Sequence, residues 1–158
     1  MRGEVFQIKC GRNYDVTAFE NDLRSVMKMA GIKGTKITFI FDESNALGPA
    51  FLERMNALLA SGEVPGLYDG DEWTTLITEC RSGMKDVRAA DDNEYFAKFT
   101  KNVQLNLHII FTMNPANPDF YNRGATSPAL FNRCIIDWFG TWPLAAQLQV
   151  SWDIGACF

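Results

Sequence analysis

Apolar positions along this chain follow two rhythms in alternation. Val5–Lys9 (VFQIK), Lys36–Phe41 (KITFIF), Leu107–Met113 (LHIIFTM) and Cys134–Phe139 (CIIDWF) are short runs rich in β-branched and aromatic residues, and each reads as a strand. Between them the spacing changes. After a turn through Gly11, Asn13 and Asp15, Thr17 with Glu20 matches a capping box. Phe19, Leu23, Val26, Met27 and Ala30 then recur at helical intervals, with Gly31 placed to close the helix. Pro49 suits a first helical residue, and Phe51, Leu52, Met55, Leu58 and Leu59 form a second apolar stripe that stops at Gly62. Gly62–Gly70 is rich in turn residues, and Arg81–Asp92 is polar with weak periodicity. Tyr95, Phe96, Phe99 and Val103 mark another helix. The stretch Ala116–Thr126 reads as a polar loop, and a short helix is expected from Ser127-Pro128 to Arg133. Apart from Thr38, the second strand is apolar on both faces, as expected of a parallel sheet covered on both sides. Strands alternating with helices predict an α/β layer around such a sheet.

In parallel sheets, ligands collect at the carboxyl ends of the strands. Asp42 and Glu43 close the Lys36–Phe41 run, and Asn114 closes Leu107–Met113, so all three fall at that edge. An apolar strand ending in Asp-Glu is the Walker B arrangement of nucleotide hydrolases. The first acid faces Mg²⁺, a hard cation that takes oxygen ligands directly or through water. The second acts as base toward the attacking water. Many strands simply end in acids, and that is the plainer reading of the pair. Asn114 can orient the same water or touch the terminal phosphate; alternatively it starts an Asn-Pro turn. Arg133 ends the short helix and can project into a neighbouring subunit's phosphate site, where such fingers are worth roughly 10³ to 10⁵ in rate. The alternative is an arginine favoured by the helix dipole, worth a few tenths of a kcal/mol.

Composition narrows the options. The 158 residues carry a net charge of −4, with 47% hydrophobic and 22% charged residues, which is ordinary for one globular domain. With this acidic balance and no basic stripe, a helicase or other nucleic-acid partner is disfavoured. No apolar run reaches the roughly 18 residues that a membrane span needs, and the N-terminus lacks a signal-peptide core. Cys10, Cys80, Cys134 and Cys157 form no CxxC pair, and the chain has a single histidine, His108. A zinc site is therefore not expected, and the cysteines read as reduced, partly buried thiols. His108 and the four tryptophans, Trp73, Trp138, Trp142 and Trp152, read as packing or edge residues. Asp69, Asp71 and Glu72 read as a solvated acidic turn without calcium-loop spacing.

Two long stretches, FIFDESNALGPAFLERMNALLASGEVPGLYDGDE and NLHIIFTMNPANPDFYNRGATSPALFNRCIIDWFGTW, resemble the heavy chain of cytoplasmic dynein in the fourth AAA+ module of its motor ring. The likeness runs from about Val5 to Trp142. It implies a partial AAA+ (P-loop NTPase-like) large subdomain, α/β with a parallel sheet flanked by helices. It further implies that Asp42 and Glu43 are the Walker B pair, with Asp42 on the metal, Asn114 the sensor and Arg133 the finger offered to the preceding module. Between Asp42 and Asn114 it implies an insertion typical of dynein modules. The expected cofactors are ATP or ADP and Mg²⁺ in the parent. The expected partners are the neighbouring modules, the microtubule through the parent's stalk, and the dynein intermediate and light chains. The expected location is cytoplasmic and cytoskeleton-associated, with no membrane partner.

One part is missing. None of the twelve glycines begins a GxxxxGK[ST] phosphate cradle, and GIKGTK (Gly31–Lys36) has the wrong spacing and precedes a strand. The family places that loop, with its strand, upstream of Met1. The family's sheet sets this strand between Leu107–Met113 and Cys134–Phe139. Its loss is expected to leave Cys134–Phe139 unpaired and to expose two apolar edges. Ser151–Phe158 departs from the family's pattern, so residues 1–142 are read as the partial subdomain and 143–158 as a divergent tail. The sequence thus predicts a fragment of an ATP-driven microtubule motor, bound to no nucleotide and inactive by itself. The competing expectation is a non-catalytic structural or interaction piece.

Overall fold

The computed structural model describes residues 3–8, 14–42, 48–84, 91–118 and 120–155. Three strands, β1 (Glu4–Gln7), β2 (Ile37–Asp42) and β3 (Leu107–Thr112), form one parallel sheet in the order β1-β2-β3. The register sets Phe6 beside Phe39, and Phe41 beside Phe111. Helices α1 (Val16–Gly31), α2 (Pro49–Ser61), α3 (Asp71–Gly83) and α4 (Asp92–Asn106) fill the connections. Two short helices, α5 (Phe120–Thr126) and α6 (Pro128–Asn132), follow β3, and α7 (Leu144–Gly155) ends the described chain. The α/β expectation is met.

The sheet buries one face far more than the other. Along β2, Ile37, Phe39 and Phe41 are buried, while Thr38, Ile40 and Asp42 between them are half-buried. On β3 the same alternation leaves His108, Ile110 and Thr112 exposed. Coverage on both faces is thus a correction: among the described residues, helices pack closely on one face only. On that face Phe19 of α1 stacks on Phe51 of α2 at 5.0 Å and meets Phe41 at 5.9 Å. His108 is the edge residue expected of it.

Asp15, not Thr17, caps α1. Its Oδ1 accepts from the Ala18 N–H at 2.8 Å, so the helix begins two positions before the capping box predicted. Pro49 opens α2 and Gly62 closes it at φ 78°, both as predicted. Gly31 is the last residue of α1, as expected, buried and without the left-handed φ of a glycine cap. What it supplies is space, because a Cβ there would lie 2.4 Å from Phe99 Cδ2 and 3.0 Å from Val103 Cγ2 of α4. Across this close approach, Asn102 Nδ2 donates to Gly31 O at 2.9 Å and Asn106 Nδ2 to Ala30 O at 3.1 Å. Gln104 Nε2 donates to Ser61 O at 2.7 Å. Helix α4 therefore satisfies terminal carbonyls of both α1 and α2.

Helix α3 has no counterpart among the predicted elements. Asp71 and Glu72, expected as a solvated turn, form its first turn, where their charge opposes the helix dipole. Trp73 packs on Phe96 of α4 at 4.8 Å, and Lys28 of α1 bridges to Glu79 at 3.0 Å. The segment before it contributes Leu67 and Tyr68 to the core, and Arg24 Nε donates to Leu67 O at 2.9 Å. Arg54 of α2 pairs with Glu20 of α1 at 2.8 Å.

The predicted fourth strand does not form. Cys134–Phe139 belongs to no element, and Ile135 is 99% and Phe139 85% exposed. A strand needs a partner for its backbone groups, and β3 has β2 as its only ladder partner among the described residues. The same composition therefore lies as an exposed apolar segment. Trp138 touches Phe120 at 6.0 Å. Trp142 and Trp152 stand exposed, which corrects their reading as packing residues, while Trp73 fits it. The stretch expected as a polar loop contains α5.

Two tests follow from this packing. Gly31→Ala gains up to about 1 kcal/mol of helix propensity but overpacks the α1–α4 contact at a cost of about 1–3 kcal/mol, for a net loss of up to about 2 kcal/mol; denaturant unfolding will show a lowered midpoint. Cys80 is buried in α3, and desolvation, with Glu79 adding to it, raises its thiol from 9.0 to about 11. Burial likewise raises Tyr68 from 10.0. A raised folded pKa stabilises the fold fully below the unfolded value, so stability is expected to hold up to about pH 9 and fall toward pH 11. Cys80→Ala should flatten the profile between those limits, and unchanged steepness would contradict the assignment.

Candidate functional site

The parallel pairing of β2 and β3 brings their carboxyl ends to one edge. There Asp42 and Thr112 are direct register partners on the less covered face. The Thr112 hydroxyl donates to Asp42 Oδ2 at 2.5 Å. One residue earlier on each strand, Phe41 and Phe111 pack edge-on at 5.6 Å. The carboxylate thus stands on a backbone fixed by aromatic packing, with one oxygen held by a neighbouring strand.

Asn114 follows β3 by two residues and lies at the same edge. Its Oδ1 accepts from the Ala116 N–H at 3.0 Å, and its carbonyl accepts from the Asn117 N–H at 3.0 Å. The turn-starting geometry expected as its plainer reading is therefore present. Asp42 closes β2 and Asn114 follows the end of the neighbouring β3, so both lie at the carboxyl edge of the sheet. Glu43 lies outside the described residues.

Arg133 sits elsewhere, as the C-cap of α6, with its backbone N–H donating to Ala129 O at 2.9 Å. Its side chain is exposed and forms no ion pair among the described residues. Helix α6 is seated on α2 through Ala129 and Leu130, both buried.

As a donor set, this edge suits a hard cation only in part. Asp42 offers carboxylate oxygen, but no cluster of three or more His, Cys, Asp or Glu side chains occurs among the described residues. Such a site fits Mg²⁺, which takes one or two carboxylates and fills its remaining positions with water and phosphate oxygens. Thr112 is the residue that sequence reasoning missed. Only the register of β2 against β3, which sets Thr112 opposite Asp42, reveals it.

The sequence profile of the P-loop containing dynein motor region D4 matches residues 1–154. The chain belongs to this dynein motor family. "Dynein heavy chain-like protein 1" of Plasmodium falciparum (isolate 3D7) is 70% identical over 147 residues, covering 93% of this chain and 3% of that protein. "Dynein heavy chain, cytoplasmic" of Paramecium tetraurelia is 62% identical over 149 residues, again 93% of this chain and 3% of the relative. "Dynein axonemal heavy chain 6" of Homo sapiens is 38% identical over 150 residues, 94% of this chain and 4% of that protein. The chain therefore spans only 3 to 4% of the length of these curated relatives. The three parallel strands and their helices are the dynein region's α/β layer, and no described helix is long and apolar enough to cross a membrane.

Proposed function

We propose that this chain contributes the hydrolytic edge of a nucleotide site in the motor ring of an ATP-driven dynein heavy chain. The observation that carries the reading is Asp42 held by Thr112 at the carboxyl end of two parallel strands, with Asn114 two residues beyond the second of them. In this reading Asp42 holds Mg²⁺ of the bound nucleotide, which supplies charge neutralisation at the phosphates. Glu43, next in sequence, takes a proton from the attacking water. Asn114 orients that water or the terminal phosphate. Arg133, exposed at the end of α6, reaches the phosphates bound by the preceding module.

The chain's own residues do not make a complete site. No GxxxxGK[ST] lies within it, and two adjacent acids repel phosphate unless cations balance them. ATP or ADP and Mg²⁺ are bound with the rest of the motor ring, and the isolated chain is inactive. Its partners are the neighbouring modules of the heavy chain, with the microtubule and the intermediate and light chains reached through the parent in the cytoplasm. One observation favours the second reading, a non-catalytic interaction piece: the apolar run from Ile135 through Phe139 to Trp152 is exposed, as a surface that meets other protein would be.

In the heavy chain, Glu43→Gln should retain ATP binding and slow hydrolysis at this site by about 10² or more, read by single-turnover kinetics. Equal turnover in wild type and mutant favours the interaction piece. Thr112→Val should weaken the Mg²⁺ dependence of nucleotide binding several-fold while Thr112→Ser preserves it, measured by titrating Mg²⁺ against a fluorescent nucleotide. Removing a group that hydrogen-bonds a metal-holding carboxylate typically costs 10- to 100-fold in metal affinity, which bounds the effect here from above.

A further inference from the structure

Helix α6 begins without help from its own N-cap residue. Ser127 is buried, yet its side chain makes no capping hydrogen bond. The acceptor comes instead from α2, where Asn56 Oδ1 accepts from the Ala129 N–H at 2.8 Å, across 73 positions of sequence. The carbonyl of this same Ala129 accepts from the backbone N–H of Arg133 at 2.9 Å. A single residue thus joins the Asn56 side chain to the Arg133 backbone through two hydrogen bonds in series. Only five residues make up α6, about 7.5 Å of helix, so fixing its first turn fixes where its last residue points. Ala129 and Leu130 are buried beneath it, which leaves rotation and tilt of the short helix as the freedom that Asn56 removes.

We propose that Asn56 is a positioning residue for Arg133, setting the direction in which the guanidinium leaves α6 toward an anionic phosphate of the neighbouring module. This rests on the reading of Arg133 as a finger. Asn56 does not touch the nucleotide in this role. It acts through Ala129, and its loss displaces the charge without removing it. An ångström of misplacement is enough to cost about 10² in rate at a preorganised site.

The test is a mutant cycle in the complete heavy-chain motor, reading kcat and KM for ATP hydrolysis, with thermal melting as a check on folding. Asn56→Ala should lower kcat about tenfold or more with KM little changed. In the Arg133→Ala background it should cost nothing further, because the group it positions is already gone. Asn56→Asp keeps the acceptor oxygen and should restore kcat. Asn56→Gln keeps the amide but displaces the acceptor, and should behave like Asn56→Ala even if the latter melts early. Additive losses in the double variant, or full activity in Asn56→Ala and Asn56→Gln while Arg133→Ala is impaired, would overturn the positioning role and leave the finger reading intact. An Arg133→Ala motor with normal turnover would remove the finger reading and this inference with it.

Discussion

Phe41 is the residue on which the rest of the structure turns. Its ring lies between Phe19 of α1 at 5.9 Å and Phe111 of β3 at 5.6 Å, and it is almost fully buried. Burying an aromatic side chain of this size is worth about 2–3 kcal/mol, and the edge-on pairing adds about 0.5–1.5 kcal/mol. That anchor also fixes register. A slip of one residue on β2 would turn Phe39 and Phe41 to the open face and carry Asp42 into the core, where an unpaired carboxylate is costly. Aromatic packing therefore decides where the acid stands, and the Thr112 hydroxyl then decides how it is turned.

The second support is α4. Its Asn102, Gln104 and Asn106 side chains close carbonyls at the ends of α1 and α2, and the helix approaches α1 closely because Gly31 has no Cβ. A net hydrogen bond of this kind contributes about 1 kcal/mol, but an unsatisfied buried carbonyl costs about 1–3 kcal/mol. The amides thus matter chiefly through what their absence would leave exposed. Because α4 runs directly into β3, this bracing reaches the strand that carries Thr112 and leads to Asn114.

Much of this was legible in the chain and some was not. Periodicity revealed α1, α2, α4 and the strands β1 to β3, because each presents a continuous apolar face. Helix α3 carried the same signal in Trp73, Leu76, Ile77 and Cys80, but the acids at its start resembled a turn. The N-cap at Asp15 escaped because Thr17 and Glu20 offered an equally good local pattern, and only the folded backbone decides between them. Cys134–Phe139 has a strand's composition but stays unpaired and exposed, as expected of a segment without its neighbouring strand. The edge uniting Asp42 and Asn114 was predictable from strand ends alone. Thr112 and Asn56 were not, since both act across elements distant in sequence, and their roles exist only once register and helix docking are fixed.

This dependence on docking has a mechanical consequence. Helix α2 follows the acid-bearing strand and, through Asn56, also holds the helix that ends in Arg133. The seat of Arg133 thus rests on α2, itself tied to α1 by the Arg54–Glu20 pair and by Phe51 against Phe19. An ion pair of this partly exposed kind contributes at most about 1 kcal/mol, so the aromatic stack carries most of the restraint. A shift of α2 would move the seat of Arg133 while the strands kept Asp42 in place.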